Sequence, residues 1–448
     1  MQRSLNSSAI ASFVSGITRA VLPLAVTEAA KQCAVDWFAA CIAGRGDADA
    51  GLIVEVIHAQ HSQGNALALD GRRGAAAPMA LVNGVLAHTV DFDDFHLASV
   101  HHASAPTFAA VLALGMDRGC SGTDILAGFV AGFEVGTQLG LGGVGMKLAK
   151  QGWHPTSILG HLSAAAACAA VIKLDAAGVE RAMGFAAVQA GGLMAAAGTL
   201  SKAVVVGKAA MSGVMAAQLA ERNVRVPTNM LDSGASGLFS TLFQNDVVPQ
   251  LQGLGRCWQI LENTYKPYPA CQLAHASFDA GSALSRRLDV RAIRKVRAFV
   301  NPFALTIAKY RDPKNSLEAR FSLNYCIALG LLGHRAAMAD FTEARLADAD
   351  LRALRDIVEG VPDEGVERWG SRLEVTLDDG SVVIETVAAA LGSLGRPMGW
   401  PELEAKFLTV AGPVMGKDAA ALLAALRAFD QPGAMARIDA LLASPRPS

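Results

Sequence analysis

Apolar side chains recur every three to four residues through most of the first half of the chain, and this period constrains the fold more than any other feature. Ile10, Phe13, Val14 and Ile17 begin the pattern, which covers residues 7–45. Because residues at this spacing share one face of a helix, the pattern predicts amphipathic helices. The first half of the chain is therefore expected to be helical.

Alanine and glycine are frequent in the helical pattern, which continues to about residue 221. The clearest segments are Phe108–Met116, Gly122–Leu139, Ser157–Ile172, Gly178–Phe185 and Gly207–Glu221. Small side chains let helices approach closely, so these helices are expected to pack against one another. Sequence units of about 20–50 residues do not repeat, which argues against a helical solenoid.

The pattern changes after about residue 265. Residues 295–301 alternate apolar and polar side chains, and residues 373–377 do so again before an Asp379–Gly380 turn and an apolar segment at 382–387. This arrangement predicts a β-hairpin and a further strand. Helices are predicted between these strands, at 317–334 and 340–356.

The predicted elements divide the chain into two domains. Residues 1–265 form the first part of a helical domain, and residues 266–397 form a smaller α+β domain. Residues 398–448 return to helix after Pro397 and Pro401 and rejoin the helical domain. The expected fold class is mainly α.

Composition excludes several classes of function. The chain has 448 residues, 52% of them hydrophobic, and a formal net charge of −1, so we expect a large core and no nucleic-acid partner. The seven cysteines form no C-x-x-C pair, which suits a reducing compartment.

The amino terminus lacks a secretory signal, so the expected location is cytoplasmic. The charge-free apolar stretch Ala182–Leu200 contains four glycines, and we expect it to be buried core rather than a membrane span.

Ionisable side chains are concentrated in residues 88–106. These nineteen residues hold three carboxylates and four of the ten imidazoles of the chain. Groups that exchange protons near neutral pH are what an acid/base site or a metal site requires. The alternative is a solvated loop with helix-capping Asp residues. The residues are His88, Asp91, Asp93, Asp94, His96, His101 and His102.

Four other segments place polar groups in apolar surroundings. His154 precedes a long alanine-rich helix, where free amides and the helix dipole favour an anion. Taken singly, a His or Tyr in such a segment is more typical of a satisfied core residue, and Lys266 is more typical of a surface cation. The segments are 153–157, 199–202, 265–275 and 321–326.

Six sequence motifs, taken together in their order along the chain, identify a protein family far more specifically than any one of them does. They are HTVDFDDFH at 88–96, GWHPTSILGHLSAAAA at 152–167, TLSK at 199–202, KPYPACQLAH at 266–275, FSLNYC at 321–326 and GRPMGWPELEAKF at 395–407. In order and spacing they resemble the MmgE/PrpD family over essentially the whole chain. That family includes 2-methylcitrate dehydratases, cis-aconitate decarboxylases and an iminodisuccinate epimerase. The resemblance implies a large all-helical domain built from both chain ends, a smaller α+β lid domain, a homodimer and an active site between the domains.

The resemblance also implies the site residues. Substrates of the family are small polycarboxylates, so cationic and N–H-bearing side chains are expected to bind carboxylates. A neutral His101, held by Asp91 through its other ring nitrogen, is the expected base, and Tyr325 is an expected proton donor. Neither a metal nor another cofactor is implied. The implied catalytic residues are Asp91, His101, Lys202 and Tyr325, and the implied substrate-binding residues are His154, Lys266, Gln272 and His275.

Two positions depart from the family pattern. Phe95 stands where many relatives have Thr, and Gln272 stands where members similar to 2-methylcitrate dehydratase often have Arg. Loss of the guanidinium removes a bidentate carboxylate clamp. We therefore expect a substrate with one fewer carboxylate, or a less polar substituent, than methylcitrate.

The leading hypothesis is a cofactor-independent lyase that dehydrates or hydrates a small di- or tricarboxylate, as 2-methylcitrate dehydratase does. The common step is proton removal next to a carboxylate, whose growing charge a cation stabilises. One alternative is a dicarboxylate epimerase with His101 and Lys202 on opposite faces of one carbon. The others are a cis-aconitate-type decarboxylase, an inactive metabolite-binding homologue, and a metalloenzyme using Asp91, Asp93, His96 and His101.

Overall fold

The computed structural model describes residues 7–18, 20–227, 229–231, 236–243, 249, 251 and 253–443. Contacts within the chain divide it into two compact units. The first unit comprises Met1–Thr89, Asp93–Asn263 and Trp400–Ser448, and the second comprises Val90–Phe92 and Thr264–Gly399. The boundaries predicted from the sequence lie after residues 265 and 397, and that prediction does not assign Val90–Phe92 to the second unit.

The first unit is mainly helical. Its two short strands, β1 (Ala66–Leu67) and β2 (Arg73–Gly74), pair antiparallel. The helices before the second unit are α1 (Ser7–Ile17), α2 (Leu24–Gly44), α3 (Ala48–His58), α4 (Ala76–His88), α5 (Ser104–Asp117), α6 (Gly122–Gly140), α7 (Val144–Lys150), α8 (Pro155–Val171), α9 (Ala176–Gln189), α10 (Ser201–Glu221) and α11 (Leu238–Phe243).

The second unit combines short helices with a mixed sheet. Its strands lie in the order β4-β3-β5-β6, with β3 and β4 parallel and the other neighbours antiparallel. The elements are α12 (His275–Ser285), β3 (Ile293–Val300), α13 (Pro302–Ile307), α14 (Ser316–Arg320), α15 (Leu323–Leu331), α16 (Glu343–Leu346), α17 (Ala349–Asp356), β4 (Val358–Pro362), β5 (Ser371–Leu377) and β6 (Val382–Val387).

The last helices belong to the first unit again. They are α18 (Trp400–Met415), α19 (Asp418–Arg427) and α20 (Ala434–Ala443). Lys406 of α18 donates to Asp36 of α2 at 2.6 Å, and both side chains are buried. Removing one partner of a buried ion pair strongly destabilises a protein, because the other charge is left buried and unpaired. This ion pair therefore holds α18 against α2.

Glycines explain how closely the helices of the first unit pack. A Cβ at Gly84 of α4 would lie 2.7 Å from the Cα of Gly207 on α10. At Gly132 of α6, a Cβ would lie 2.3 Å from the carbonyl oxygen of Ser163 on α8. These approaches exclude any larger residue at the two glycines, as expected from the abundance of small side chains.

The mainly α fold class is confirmed, and so are the predicted strand β3 and the β5–β6 hairpin with its turn at Gly380. The expectation that Ala182–Leu200 is one buried core segment is wrong. Helix α9 ends at Gln189, and Leu193 is 57% exposed. Among the described residues, α10 and the bent pair α6–α7 have the length and composition of a membrane span. Buried core helices pass the same test, and 61% of the apolar window of α10 is buried.

Candidate active site

The ionisable segment 88–106 connects α4 to α5 as a buried loop. His88 is the last residue of α4, and Ser104 is the first of α5. His96 and His101 exchange backbone hydrogen bonds of 2.8 and 3.2 Å, which close a tight turn between them. Val100 has a φ of 55° within this turn, a left-handed conformation that is unfavourable for a β-branched residue. Because the loop is buried, the interpretation of the segment as a solvated loop is wrong.

Asp93 is a buried carboxylate that two imidazoles of the first unit approach. His88 Nδ1 lies 2.7 Å from Asp93 Oδ2, and His102 Nδ1 lies 3.2 Å from the same oxygen. Burial alone would raise the pKa of Asp93, but the two imidazoles outweigh it and hold that pKa well below 3.8. Asp93 is therefore ionised and accepts the proton of His88 Nδ1.

His88 is neutral at pH 7. Burial lowers its pKa to about 4, against the opposing effect of Asp93 and with a further lowering by Lys202. Since Nδ1 donates to Asp93, Nε2 carries the lone pair, and it has no hydrogen-bond partner among the described residues. The ring of His88 lies 4.7 Å from that of His102 and 6.2 Å from that of His154, measured between centroids.

His101 lies against α6, with neither ring nitrogen hydrogen-bonded to any described residue. Burial and the nearby His96, His102 and His88 hold its pKa well below 6.5, so it is neutral. The expectation that Asp91 holds His101 through a ring nitrogen is wrong. The carboxylate of Asp91 accepts a hydrogen bond from Lys266 instead.

His154 caps the amino terminus of α8. Its Nδ1 accepts the backbone N–H of Ser157 at 3.3 Å, so the ring proton is on Nε2. Burial, followed by the charge of Lys202, holds the pKa of His154 well below 6.5. His154 is thus a neutral N–H donor at a helix amino terminus.

Lys202 lies in the first turn of α10 and is partly exposed. After burial, its ammonium further lowers the pKa of both His88 and His154, so both rings lie within its electrostatic influence. Phe95, the departure from the family pattern, places its ring 4.7 Å from that of His102. The first unit therefore brings together the predicted residues His101, His154 and Lys202.

Asp94 is turned away from these imidazoles. Its carboxyl group contacts the hydroxyl of Ser104 and accepts from Asn263 Nδ2 at 2.6 Å. Burial, with a smaller contribution from Asp36, raises the pKa of Asp94 to about 7. Neighbouring carboxyls in the sequence therefore have opposite protonation behaviour, because Asp93 meets imidazoles and Asp94 does not.

The second unit contains a separate polar group around Asp91, whose φ is 53°. Lys266 Nζ donates to the Oδ2 of Asp91 at 2.8 Å and to its carbonyl at 3.0 Å. Arg320 Nη1 donates to the carbonyls of Val90 at 3.2 Å and Pro269 at 2.9 Å. Buried cations thus bind two consecutive carbonyls and hold Asp91 in its left-handed conformation. Lys266 is 3% exposed, so the interpretation as a surface cation is wrong.

Gln272 lies in a 3-10 turn just before α12 of the same unit, His275 is the first residue of α12, and both are buried. Gln272 Nε2 is 3.5 Å from the carbonyl of Gly392, and His275 Nε2 donates to the carbonyl of Ala270 at 3.0 Å. His275 therefore already uses one ring N–H within the protein. Their roles as substrate-binding residues stay predictions.

Tyr325 belongs to the hydrophobic core of the second unit and has no exposed surface. Its hydroxyl donates to the carbonyl of Asp340 at 2.6 Å. Burial raises the pKa of Tyr325 above 10. Because its proton is committed to a backbone carbonyl, this arrangement does not support the predicted role as a proton donor.

The positions of three buried residues would also allow a metal ion. Ligand atoms of His88, Asp93 and His102 all lie within 4.8 Å of one another. The hydrogen bond of His88 to Asp93, and the approach of His102 Nδ1 to within 3.2 Å of the same oxygen, explain this proximity without an ion. His96 and His101 do not join the group, so the metal set predicted as a rival is not assembled among the described residues.

The site that the resemblance implies does not include three residues of this cluster: His88, Asp93 and His102. All lie in the segment that was identified by its density of ionisable groups. A carboxylate five residues after one imidazole and nine before another was the available signal. Spacing alone did not distinguish Asp93 from Asp91 or Asp94, since the loop is not a regular element.

Comparisons with known proteins cover most of the chain. Residues 8–250 match the MmgE/PrpD N-terminal domain, and residues 268–431 match the MmgE/PrpD C-terminal domain. The chain is 27% identical over 358 residues to a cis-aconitate decarboxylase of Homo sapiens, an alignment that covers 76% of this chain and 73% of the relative. A cis-aconitate decarboxylase of Aspergillus terreus is 25% identical over 374 residues, with 77% and 76% covered. One of Mus musculus is 27% identical over 364 residues, with 76% and 72% covered.

Proposed function

Because this chain belongs to the MmgE/PrpD family, we propose that it is a cofactor-independent lyase acting on a small di- or tricarboxylate. The leading reaction is dehydration or hydration of a 2-hydroxy acid, as in 2-methylcitrate dehydratase. The polycarboxylate class is supported by the relatives, which are named for an activity on cis-aconitate. The homodimeric state and the cytoplasmic location stay predictions.

One observation carries the proposal: the first unit holds buried, neutral imidazoles, two of which lie within the electrostatic influence of a cation. Burial lowers the pKa of His88, His101 and His154 below 6.5, so all three are unprotonated bases at pH 7. Lys202 is near enough to lower two of these pKa values. A neutral base and an ammonium are therefore present together at the same pH.

This combination suits proton removal from a carbon next to a carboxylate. As the C–H bond breaks, negative charge grows on that carboxylate, and the ammonium of Lys202 stabilises it. The Nε2–H of His154 offers a second, neutral donor to the anion. His101 is the base predicted from the sequence. Departure of the hydroxyl group from the adjacent carbon completes the dehydration.

Decarboxylation of a cis-aconitate-type substrate is the second candidate, because the relatives carry that name. Loss of CO₂ also builds negative charge next to a carboxylate, which Lys202 would stabilise. The resulting carbanion then requires a proton, however, and neutral imidazoles are weak acids. The protonation state of the cluster therefore favours proton removal as the leading reaction.

Proton NMR in D₂O tests the proposal directly. The purified protein is incubated with 2-methylcitrate, cis-aconitate and their dicarboxylate analogues. Dehydration of 2-methylcitrate removes the signal of its C–H proton and changes the methyl doublet into a singlet, decarboxylation produces a product lacking one carboxylate, and epimerisation replaces one C–H by deuterium with inversion at that carbon. Spectra that stay unchanged with every substrate would contradict the proposal and favour an inactive metabolite-binding homologue.

Dialysis against a strong chelator is the accompanying control. We expect turnover to be unchanged, since the proposed step uses only side chains. Loss of turnover that one divalent metal restores would contradict cofactor independence and assign a metal to His88, Asp93 and His102.

A further inference from the structure

His88 and Asp93 form a carboxylate-oriented base that the sequence-based site does not contain. His88 Nδ1 lies 2.7 Å from Asp93 Oδ2, and neither side chain has exposed surface. The carboxylate can only accept, so the hydrogen bond places the proton on Nδ1 and the lone pair on Nε2. Among the described residues, Nε2 has no hydrogen-bond partner. One ring nitrogen is thus fixed, and the other is available as an acceptor.

His101 lacks these features. Neither of its ring nitrogens has a hydrogen-bond partner among the described residues, so no carboxylate selects its tautomer. A carboxylate beside an imidazole both orients the ring and stabilises the imidazolium that forms when the base accepts a proton. Of these two imidazoles, His88 has this support, at 2.7 Å, with His102 Nδ1 3.2 Å from the same oxygen.

We propose that Asp93 is a positioning residue that fixes the tautomer of His88, and that His88 Nε2 is the proton acceptor of the lyase reaction. This inference rests on the proposed function and names its base. His88 Nε2 takes the proton from the carbon next to the carboxylate that Lys202 binds. The electron pair of the C–H bond forms the new double bond, and the hydroxyl on the neighbouring carbon leaves. The imidazolium returns its proton to the departing hydroxide as water, so the step balances without an oxidant or a reductant.

The location of His88 agrees with this role. The ammonium of Lys202 lowers the pKa of His88, and the ring of His154 is 6.2 Å away. The base therefore lies beside the two groups proposed to bind the substrate carboxylate. Burial keeps His88 neutral at pH 7, which is the form that accepts a proton.

Neighbouring carboxyls provide a matched pair of variants. In D93N the Asn amide donates to His88 Nδ1, which moves the ring proton to Nε2 and removes the acceptor. We expect kcat to fall about 10³-fold or more, with little change in KM. In D94N the expected change is within about threefold at pH 6, because the carboxyl of Asp94, whose pKa is about 7, is already mostly protonated there.

Histidine tautomers can be read without any turnover. Long-range ¹H–¹⁵N correlation spectra distinguish Nδ1–H from Nε2–H, and H88Q identifies the His88 signal. We expect Nδ1–H for His88 in the wild type and in D94N, and Nε2–H in D93N. Wild-type His88 with its proton on Nε2 would overturn the inference whether or not the protein is active. Wild-type kcat and an unchanged pH profile in D93N would overturn it equally. Absence of turnover in the wild type contradicts the proposed function instead, and the tautomer then decides the positioning role alone.

Discussion

Lys202 is the residue on which binding of the substrate carboxylate depends in the proposed reaction. Because the charge on that carboxylate grows in the transition state, K202A should lower kcat/KM by about two to three decades, or about 3–4 kcal/mol. Lys208 provides the control, since it is an exposed lysine on the same helix α10. K208A should retain near wild-type kcat/KM. Equal effects of the two substitutions would show that Lys202 acts only through the general electrostatic field.

The density of histidines and carboxylates at 88–106 was sufficient to identify a segment of interacting ionisable groups. It was not sufficient to predict which of these side chains contact one another. Asp91 and Val100 both have positive φ values, and such reversals separate side chains that are close in sequence. Asp91 consequently meets Lys266, whereas Asp93 meets His88. These pairings follow from the loop conformation, which no periodic pattern encodes.

Helix α6 contacts the site through Gly136. A Cβ at this position would lie 2.7 Å from Ser163 Cβ on α8 and 3.0 Å from His101 Cε1. We expect G136A to displace His101, to lower kcat, and to destabilise the protein by about 1–3 kcal/mol through overpacking. Kinetics and thermal unfolding measure the two effects.

Gly51 of α3 is the matched control, because it is exposed and a Cβ there would contact nothing within 4 Å. G51A should leave kcat unchanged and stabilise the protein by about 0.5–1 kcal/mol. Unaltered kcat in G136A would show that the position of the His101 ring is not important for turnover.

Elements with a strong period could be predicted, whereas those fixed by tertiary contacts could not. The alternation in β3 and β5 and the glycine of the turn identified strands correctly. The sequence of β4, VEGVP, lacks alternation, and its strand conformation depends on parallel pairing with β3. Apolar composition also overestimated the burial of Ala182–Leu200. Helix α9 ends within this segment, and Gly192 has a φ of 134° after the end of the helix.

Buried ionisable groups make the stability of the whole molecule depend on pH in two opposite directions. Burial lowers the pKa of His88, His96 and His161 from 6.5 to about 4. Between these values the unfolded chain binds more protons, so this contribution to stability rises with pH. Burial raises the pKa of Asp94 and Glu134 to about 7. The folded chain then binds more protons between about pH 4 and 7, and their contribution falls as pH rises.

His161 allows one of these contributions to be isolated. It lies outside the proposed catalytic group, its Nδ1 donates to the carbonyl of Ser157 at 2.7 Å, and burial followed by the charge of Lys208 lowers its pKa to about 4. In the wild type, lowering the pH from 7.5 to 5 should cost about 2 kcal/mol through this group alone. H161Q lacks the group, so its stability deficit relative to the wild type should narrow by that amount at pH 5.

The difference in thermal unfolding between H161Q and the wild type is the appropriate measurement, because the contributions of Asp94 and Glu134 are common to both proteins and cancel. A deficit of H161Q that stays constant from pH 7.5 to 5 would mean that His161 binds protons equally in the folded and unfolded chains. That result would contradict the view that burial keeps the histidines of the proposed site neutral at pH 7.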